Sequence, residues 1–463
     1  MIFRKLRIIF LFIFIIKVYP KIIYSPVSAP LVINVKDYGA KGDGKTDDWE
    51  VINRAVSDLK NKNGGILYFP EGIYIVKYAI TLASNISYIG ESKETTIIKA
   101  DFTSLDNVFG NAYPLIHHWE QARKVNGNIN RLTKPDFISQ YTEEEAFNTG
   151  GMAGFSVVNV RIENLTVDGN KNNRQENKLN LIGKSSKKFL PGEKITSNKG
   201  ATAIISGVFG ASYGFSIEPR TIIGNFSKGD IVQGLESGAR MLIEDKKADD
   251  AYQMLIRFDA VSHSIISNCI LKNSIFTAIS IYNYSNDNII SNNFLYDNNK
   301  LGTDYTYGSM NIFIEFDSLK NIIKSNKIDG GLGYSVFVQS TGGNNYDTQI
   351  LFNTITNPGA DGIRIGNENS NSLIINPFVY GNVVSGALTK GAVGIRIIHN
   401  GNGFVSGAIV KNNRVFNSDF GILLQGRVKN SYIVDNTVYK INNSKIASSS
   451  TLEDNVLKNN LNY

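Results

Sequence analysis

Apolar residues along this chain fall into two regimes. In "DDWEVINRAVSDLKNKNGG", Trp49, Ile52, Val56 and Leu59 recur at helical spacing, with acids at the start and Gly64-Gly65 at the end. That pattern predicts one amphipathic helix. After it the period shortens to that of strands. "GILYFPEGIYIV" (Gly65 to Val76) alternates on both sides of a turn at Pro70-Glu71-Gly72, and "ISYIG" and "TTIIKA" follow. The stretch from Asp101 to Met152 has no period and reads as a long loop containing "HHWEQ" (His117 to Gln121).

Further on, a short motif of the form Asn-x-apolar recurs, with its asparagines at Asn164, Asn268, Asn292, Asn326, Asn353, Asn382, Asn413, Asn436 and Asn455. From Asn268 onward the spacings are 24, 34, 27, 29, 31, 23 and 19 residues. A second apolar strand precedes most of them: "ISIY", "IFIE", "VFVQ", "IRIG", "IRII" and "ILLQ". Repeats of this length, built from strands of four or five residues at variable spacing, predict an all-β solenoid, a parallel β-helix. The asparagines have a structural role in that fold. A buried turn must satisfy its backbone polar groups, and an Asn amide can bond the turns above and below.

One segment breaks the repeat. Leu179 to Asp245 carries its own weak duplication, in which Gly192-Glu193-Lys194-Ile195 aligns with Gly229-Asp230-Ile231-Val232. It reads as a small inserted β module. The expected organisation is a leader over residues 1–29, a cap with the first coils over 30–178, the insertion over 179–245, and the main β-helix over 246–463.

Composition changes this picture little. The chain has 463 residues, a formal charge of +7 and a single cysteine, Cys269, in an apolar run. No disulfide framework is available, and Cys269 reads as a core residue. Arg4, Lys5 and Arg7 precede "IIFLFIFII" (Ile8 to Ile16), an apolar run too short to span a bilayer, and "VSA" (Val27 to Ala29) follows. This is the form of an export signal, so a secreted or cell-surface protein is expected.

Gly39 to Thr46, "GAKGDGKT", matches the phosphate-binding pattern G-x-x-x-x-G-K-[ST]. Its own acids argue against that use. Asp43 lies in the loop, and Asp47 and Asp48 follow it, where all three would repel phosphate. The alternating strands and helices that support such a loop are missing downstream. A calcium loop fails too, because Lys41 or Lys45 falls at a ligand position. The glycines therefore read as a tight turn leading into a helix that covers the open end of the solenoid.

"INVKDYGAKGDGKTDDWEVINRAV" followed by "GGILYFPEGIYIV" closely resembles the N-terminal signature of the pectate-lyase-like superfamily, the branch with rhamnogalacturonase- and epimerase-like proteins and phage tailspikes. "NLTVDGN" (Asn164 to Asn170) is similar to another stretch found there. The resemblance implies a single-stranded right-handed parallel β-helix with an N-terminal capping helix, usually one that handles polysaccharides. It leaves hydrolase, lyase, epimerase and non-enzymatic binder open. A polysaccharide partner is expected, with no nucleotide or nucleic acid, in a monomer or homotrimer.

Aligning the six strand motifs places their first and third residues inward. The second column then faces outward as Ser280, Phe313, Phe337, Arg364, Arg396 and Leu423, with Arg257 added from "LIRF". The fourth reads Tyr282, Glu315, Gln339, Gly366, Ile398 and Gln425, and Tyr334 and Asp361 lie two residues before their strand cores. Arg364, Arg396, Tyr282, Tyr334, Phe313, Phe337 and Arg257 are the expected substrate contacts, since arginines hold carboxylates and aromatic rings stack on sugars. Hydrolysis needs two carboxylates. Glu315 and Asp361, two coils apart, would lie about 10 Å from each other. "ADGIRIG" resembles the catalytic strand of polygalacturonase-like hydrolases, but Val393 stands where a second aspartate would be. A lyase would instead use an arginine to neutralise a uronate, with His399 or Tyr334 among the candidates for proton abstraction. The expected function is a secreted enzyme that degrades an acidic polysaccharide by carboxylate acid/base hydrolysis, with a lyase or a non-catalytic glycan-binding β-helix as alternatives; no cofactor is expected for hydrolysis, and a lyase would admit Ca²⁺. Asp259 and Asp317, at equal positions after their strands, read as turn residues. His117, His118, Trp119 and Glu120 could wall the groove, without metal-binding spacing.

Overall fold

The computed structural model describes residues 30–76, 79–101, 109–111, 157–171, 178–190, 192–208, 214–217, 221–249, 254–274, 276–282, 284–298, 310–340, 343–367, 371–452 and 454–462. The expected leader and the "HHWEQ" wall lie outside them. From Leu31 on, the described residues form one body built on three long parallel sheets, two of 12 strands and one of 10. Each coil gives one strand to each sheet in turn: Ile289–Ser291 to the first, Phe294–Tyr296 to the second and Met310–Ile314 to the third. Strands of the first two sheets are mostly three residues long, with the middle residue buried and its neighbours turned out. The buried residues are almost all Ile, Leu and Val, stacked in columns such as Ile162, Ile266, Ile290, Ile323, Ile350, Val379, Val410 and Ile433. β-Branched side chains suit this packing because they fill a pleated surface with few rotamers.

The corner between the first and second sheets holds an amide ladder. Asn293, Asn326, Asn353, Asn382, Asn413, Asn436 and Asn460 follow one another up the solenoid. The Asn382 side-chain oxygen accepts from the Asn353 N–H at 2.9 Å and from the Asn353 amide at 2.9 Å. Its own amide donates to the Ile350 carbonyl at 2.8 Å and to Asn413 Oδ1 at 3.0 Å. Of the nine asparagines of the sequence motif, five are rungs and four are not. Asn326, Asn353, Asn382, Asn413 and Asn436 are rungs of this ladder, as expected. Asn164, Asn268 and Asn292 sit one residue earlier and are left-handed, the first half-buried and the other two exposed, and the Asn268 amide donates to Asn164 Oδ1. In the third of those coils Asn293 is the buried rung, and in the second Cys269 takes the place, its N–H donating to Asn293 Oδ1. Asn455 belongs to a different corner, where Ser431 donates to it. Burial pushes the Cys269 thiol up to about 12, so it is an inert core residue.

The helix Trp49–Asn61 packs Ile52, Ala55, Val56 and Leu59 on the first coils. The loop before it is closed by its own acids. The buried Asp48 carboxylate accepts the N–H groups of Lys41 and Gly42 at 2.6 and 2.9 Å. Asp43 accepts those of Thr46 and Lys45, which hold its carboxyl down at about 2. The amides that a phosphate would need are thus already taken.

The insertion is a seven-stranded antiparallel sheet with its own core, running from Lys178–Ile182 to Asp245–Asp249, which pair with each other at its base. The coil strand Arg161–Glu163 pairs directly with Ile265–Ser267, so the module loops out between adjacent coils. Its duplication is visible in space. Gly192 and Gly229 both have positive φ, and the acid after each accepts an N–H three residues back.

Loss of one rung should be costly. Asn382→Ala leaves two donors and one carbonyl unpaired and should destabilise by about 3 kcal/mol in denaturant unfolding. Asn292→Gly, at an exposed left-handed corner, should change stability by less than about 0.5 kcal/mol.

Candidate active site

The ladder fixes the register of the third sheet, and that register aligns its outward side chains. One column runs Arg257, Ser280, Phe313, Phe337, Arg364, Arg396, Leu423. A second, two positions further along each strand, runs Asp259, Tyr282, Glu315, Gln339. Tyr334 and Asp361 share a third position at the strand starts, linked by the Ser335 N–H donating to the Asp361 carbonyl.

Three groups form on this face. At one end Asp361, 2% exposed, is saturated. Arg396 grips it through Nε at 2.7 Å and Nη2 at 3.1 Å, Arg364 reaches it at 3.4 Å, and the Val393 N–H donates to it at 2.8 Å. Arg396 also donates to Gln425 and to the Gly391 carbonyl. In the middle, Phe313, Phe337, Tyr334 and Met310 pack on one another and are nearly buried. The Arg364 guanidinium lies 5.1 Å from the Tyr334 ring centre. At the other end Arg257 is bound to Asp259 at 2.7 Å and lies 4.8 Å over the Tyr282 ring. The Tyr282 phenol meets Glu315, and the Gln339 amide donates to Glu315 Oε1. Burial, then the Glu315 charge, pushes the Tyr282 phenol well above its ordinary pKa.

Several expectations need correction. Glu315 and Asp361 are two coils apart, but they also lie five positions apart along the strand direction. That adds roughly 16 Å sideways to the 10 Å of stacking, and the aromatic cluster stands between them. They do not form a pair. His399 is the last residue of the strand Val393–His399 and points inward, fully buried, in register with Asn367 and Gly426. Burial pushes its pKa below the ordinary 6.5, and it does not face the groove. Phe313, Phe337 and Tyr334 are packed on one another, with little ring face exposed. Arg257 stands in the arginine column but turns its guanidinium over Tyr282. Asp259 aligns with Tyr282 and Glu315 rather than with Asp317, and it faces outward. Sequence alignment missed it because it matched the two Phe-Asp pairs, which are two positions out of register. Asp317 sits at a left-handed corner, φ 51°, and accepts the N–H of Asn344 on the next coil at 2.7 Å. Among the described residues, no three His, Cys, Asp or Glu side chains converge as a metal site would require.

The three stacked parallel sheets define the class of fold, a parallel β-helix. Residues 32–225 match the family described as rhamnogalacturonase A/epimerase, pectate lyase-like. The chain is 25% identical over 313 residues to mannuronan C5-epimerase AlgE2 of Azotobacter vinelandii, covering 65% of this chain and 24% of that protein. It is 30% identical over 149 residues to alginate lyase 7 of the same organism, covering 31% of this chain and 13% of the relative. The chain thus spans no more than a quarter of these relatives' length. The A-module of A. vinelandii mannuronan C-5 epimerase AlgE4 superposes with a TM-score of 0.52 at 14% identity, covering 93% of this chain and 97% of that one, which shows the fold.

Asp361→Ala would remove the carboxylate that Arg364 and Arg396 share and should lower stability by about 3–5 kcal/mol in urea unfolding. His399 acts on stability through pH. Its folded pKa is depressed, so its contribution is present above the unfolded value of 6.5 and lost as pH falls towards the folded one. The wild type should lose stability below pH 6.5, and His399→Leu should lose measurably less when both are melted across that range.

Proposed function

We propose that the protein is an exported enzyme that acts on a uronate-containing polysaccharide through the C5 proton of the sugar, at the cluster formed by Arg257, Asp259, Tyr282, Glu315 and Gln339. One observation carries this reading: a phenol held protonated at neutral pH lies against a carboxylate, with a guanidinium on its other side. The matches to an alginate lyase and to mannuronan epimerases support the substrate class, since both names point to polyuronates.

Removing a proton next to a carboxylate requires that carboxylate to be neutralised and a base to be in reach. Arg257 supplies the cation, and its ion pair with Asp259 fixes where the guanidinium sits. Glu315, steadied by the Gln339 amide, takes the C5 proton. Tyr282 is the proton donor. In elimination the C4–O bond breaks, a C4=C5 double bond forms, and the departing oxygen takes the phenolic proton. In epimerisation the proton returns to C5 from the opposite side. Arg364 and Arg396 are further candidate contacts for the substrate's carboxylates, although both are engaged by Asp361.

Hydrolysis is the second reading, and one observation favours it. Asp259 and Glu315 share a column two coils apart, about 10 Å, near the upper range for an inverting pair.

Incubation with polygalacturonate and with polymannuronate separates the readings. Elimination gives the ultraviolet absorbance of an unsaturated uronate, epimerisation gives C5 inversion by proton NMR, and hydrolysis gives reducing ends with neither. Glu315→Gln and Tyr282→Phe should each lower kcat by roughly 10²–10⁴-fold with little change in melting temperature. No product of any kind from any polyuronate would overturn the enzymatic reading and leave a glycan binder.

A further inference from the structure

The back of the solenoid, away from the candidate active site, carries a surface that neither packing nor the fold requires. At the exposed corner between the first and second sheets, successive coils place Asn164, Asn268, Asn292, Ser325, Phe352, Gly381, Asn412 and Asp435. These positions are left-handed, where Asn, Asp and Gly fit and bulky side chains are strained. Phe352 is the exception. It holds φ 54° and is 56% exposed, so its ring gains little burial in return for the strain. The ring is nevertheless seated. It lies over Gly381, where any Cβ would strike it at 2.6 Å, and meets the Tyr380 ring edge-on at 5.3 Å. Tyr380 is braced in turn by Phe378 at 5.6 Å and by Asn412, whose amide donates to its hydroxyl.

Cations are interleaved with these rings. The outward column through Tyr380 reads Lys324, Leu351, Tyr380, Lys411, Val434, Lys458. The neighbouring column carries Phe378, Ile409 and then Tyr432, 47% exposed. In the earlier coils the same column is Glu163, Ser267, Ser291, so the pattern is confined to the C-terminal half. Exposed rings offer flat faces to pyranose rings, and lysines spaced along them match a chain of carboxylates.

The geometry points to a second, non-catalytic binding surface on this corner for an acidic polysaccharide, with Phe352 and Tyr380 as the platform and Lys411, in register with Tyr380 and in an exposed 3.5 Å pair with Asp435, as its cation. The sugar class rests on the proposed function; the surface itself rests on Phe352 and its seat. It would hold a long polyuronate on the enzyme while another part of the same chain enters the site on the third sheet.

The test uses the full chain in affinity electrophoresis through gels containing polymannuronate, polygalacturonate or single-stranded DNA. Phe352→Asn gives this coil the residue found at Asn164, Asn268, Asn292 and Asn412 and should fold at least as well as the parent. Combined with Lys411→Gln, it should weaken retention by a polyuronate at least fivefold, while turnover of short oligouronates, which cannot reach both faces, stays within twofold. Tyr432→Ser gives an independent arm on another coil and should weaken retention in the same direction. Unchanged retention of the double variant, or tighter retention of the parent by DNA than by either polyuronate, would overturn the proposal. Failure of the catalytic reading looks different: no turnover by the parent, whatever its retention.

Discussion

The asparagine ladder is the constraint on which the other features depend. A parallel β-helix turns its backbone through its own core at every coil, and each turn brings donors and acceptors away from water. One amide per coil satisfies the coil below, the coil above and a carbonyl across the corner. Because the same bonds repeat from Asn293 to Asn460, the coils cannot slip against one another. A slip of one residue would turn every inward side chain out. The outward columns of the third sheet therefore exist only because a corner on the other side of the coil is locked. The site is built by register, from residues far apart in the chain.

Register also explains why the charged residues of that face behave in two ways. Asp361 is gripped by two arginines and a backbone amide, leaving little with which to do chemistry. Glu315 instead faces a phenol and an amide. The packed rings of Phe313, Phe337 and Tyr334 stand between the two. The same sheet thus holds a structural ion network and, apart from it, the carboxylate on which the proposed chemistry rests.

Much of this was legible in the sequence. The β-helix, its capping helix, the looped-out module and the outward arginine column follow from periodicity, and the acids of "GAKGDGKT" already argued against phosphate. What was not legible came from single-residue offsets. Left-handed corners and buried rungs both select asparagine and stand side by side, as in Asn292-Asn293, so the motif marked the wrong one in the early coils. His399 directly follows the motif "IRII", but the strand Val393–His399 runs through it and turns its side chain to the interior. Glu315 and Asp361 looked paired because stacking distance was counted without the separation along the strand. Asp259 was missed because alignment by letters overrode alignment by hydrogen bonds.

Where the chain buries charge is itself informative. Among the described residues, the outward positions of the first sheet bury no ionised side chain, and those of the second bury only Asp168. The third sheet and its margins bury Arg257, Asp259, Glu315, Asp361 and Arg364. Buried ion pairs are poor sources of stability, since desolvation offsets most of their attraction. A solenoid held together by its ladder and its aliphatic columns does not need them. Their concentration on one face, at the cost of desolvating five charged groups, is what a site that must present fixed charge to a polar substrate would require. The same logic separates the two surfaces. The third sheet holds its charges dry and rigid, as chemistry demands, while the Phe352 corner keeps its lysines wet and its rings open, as reversible holding of a polymer demands.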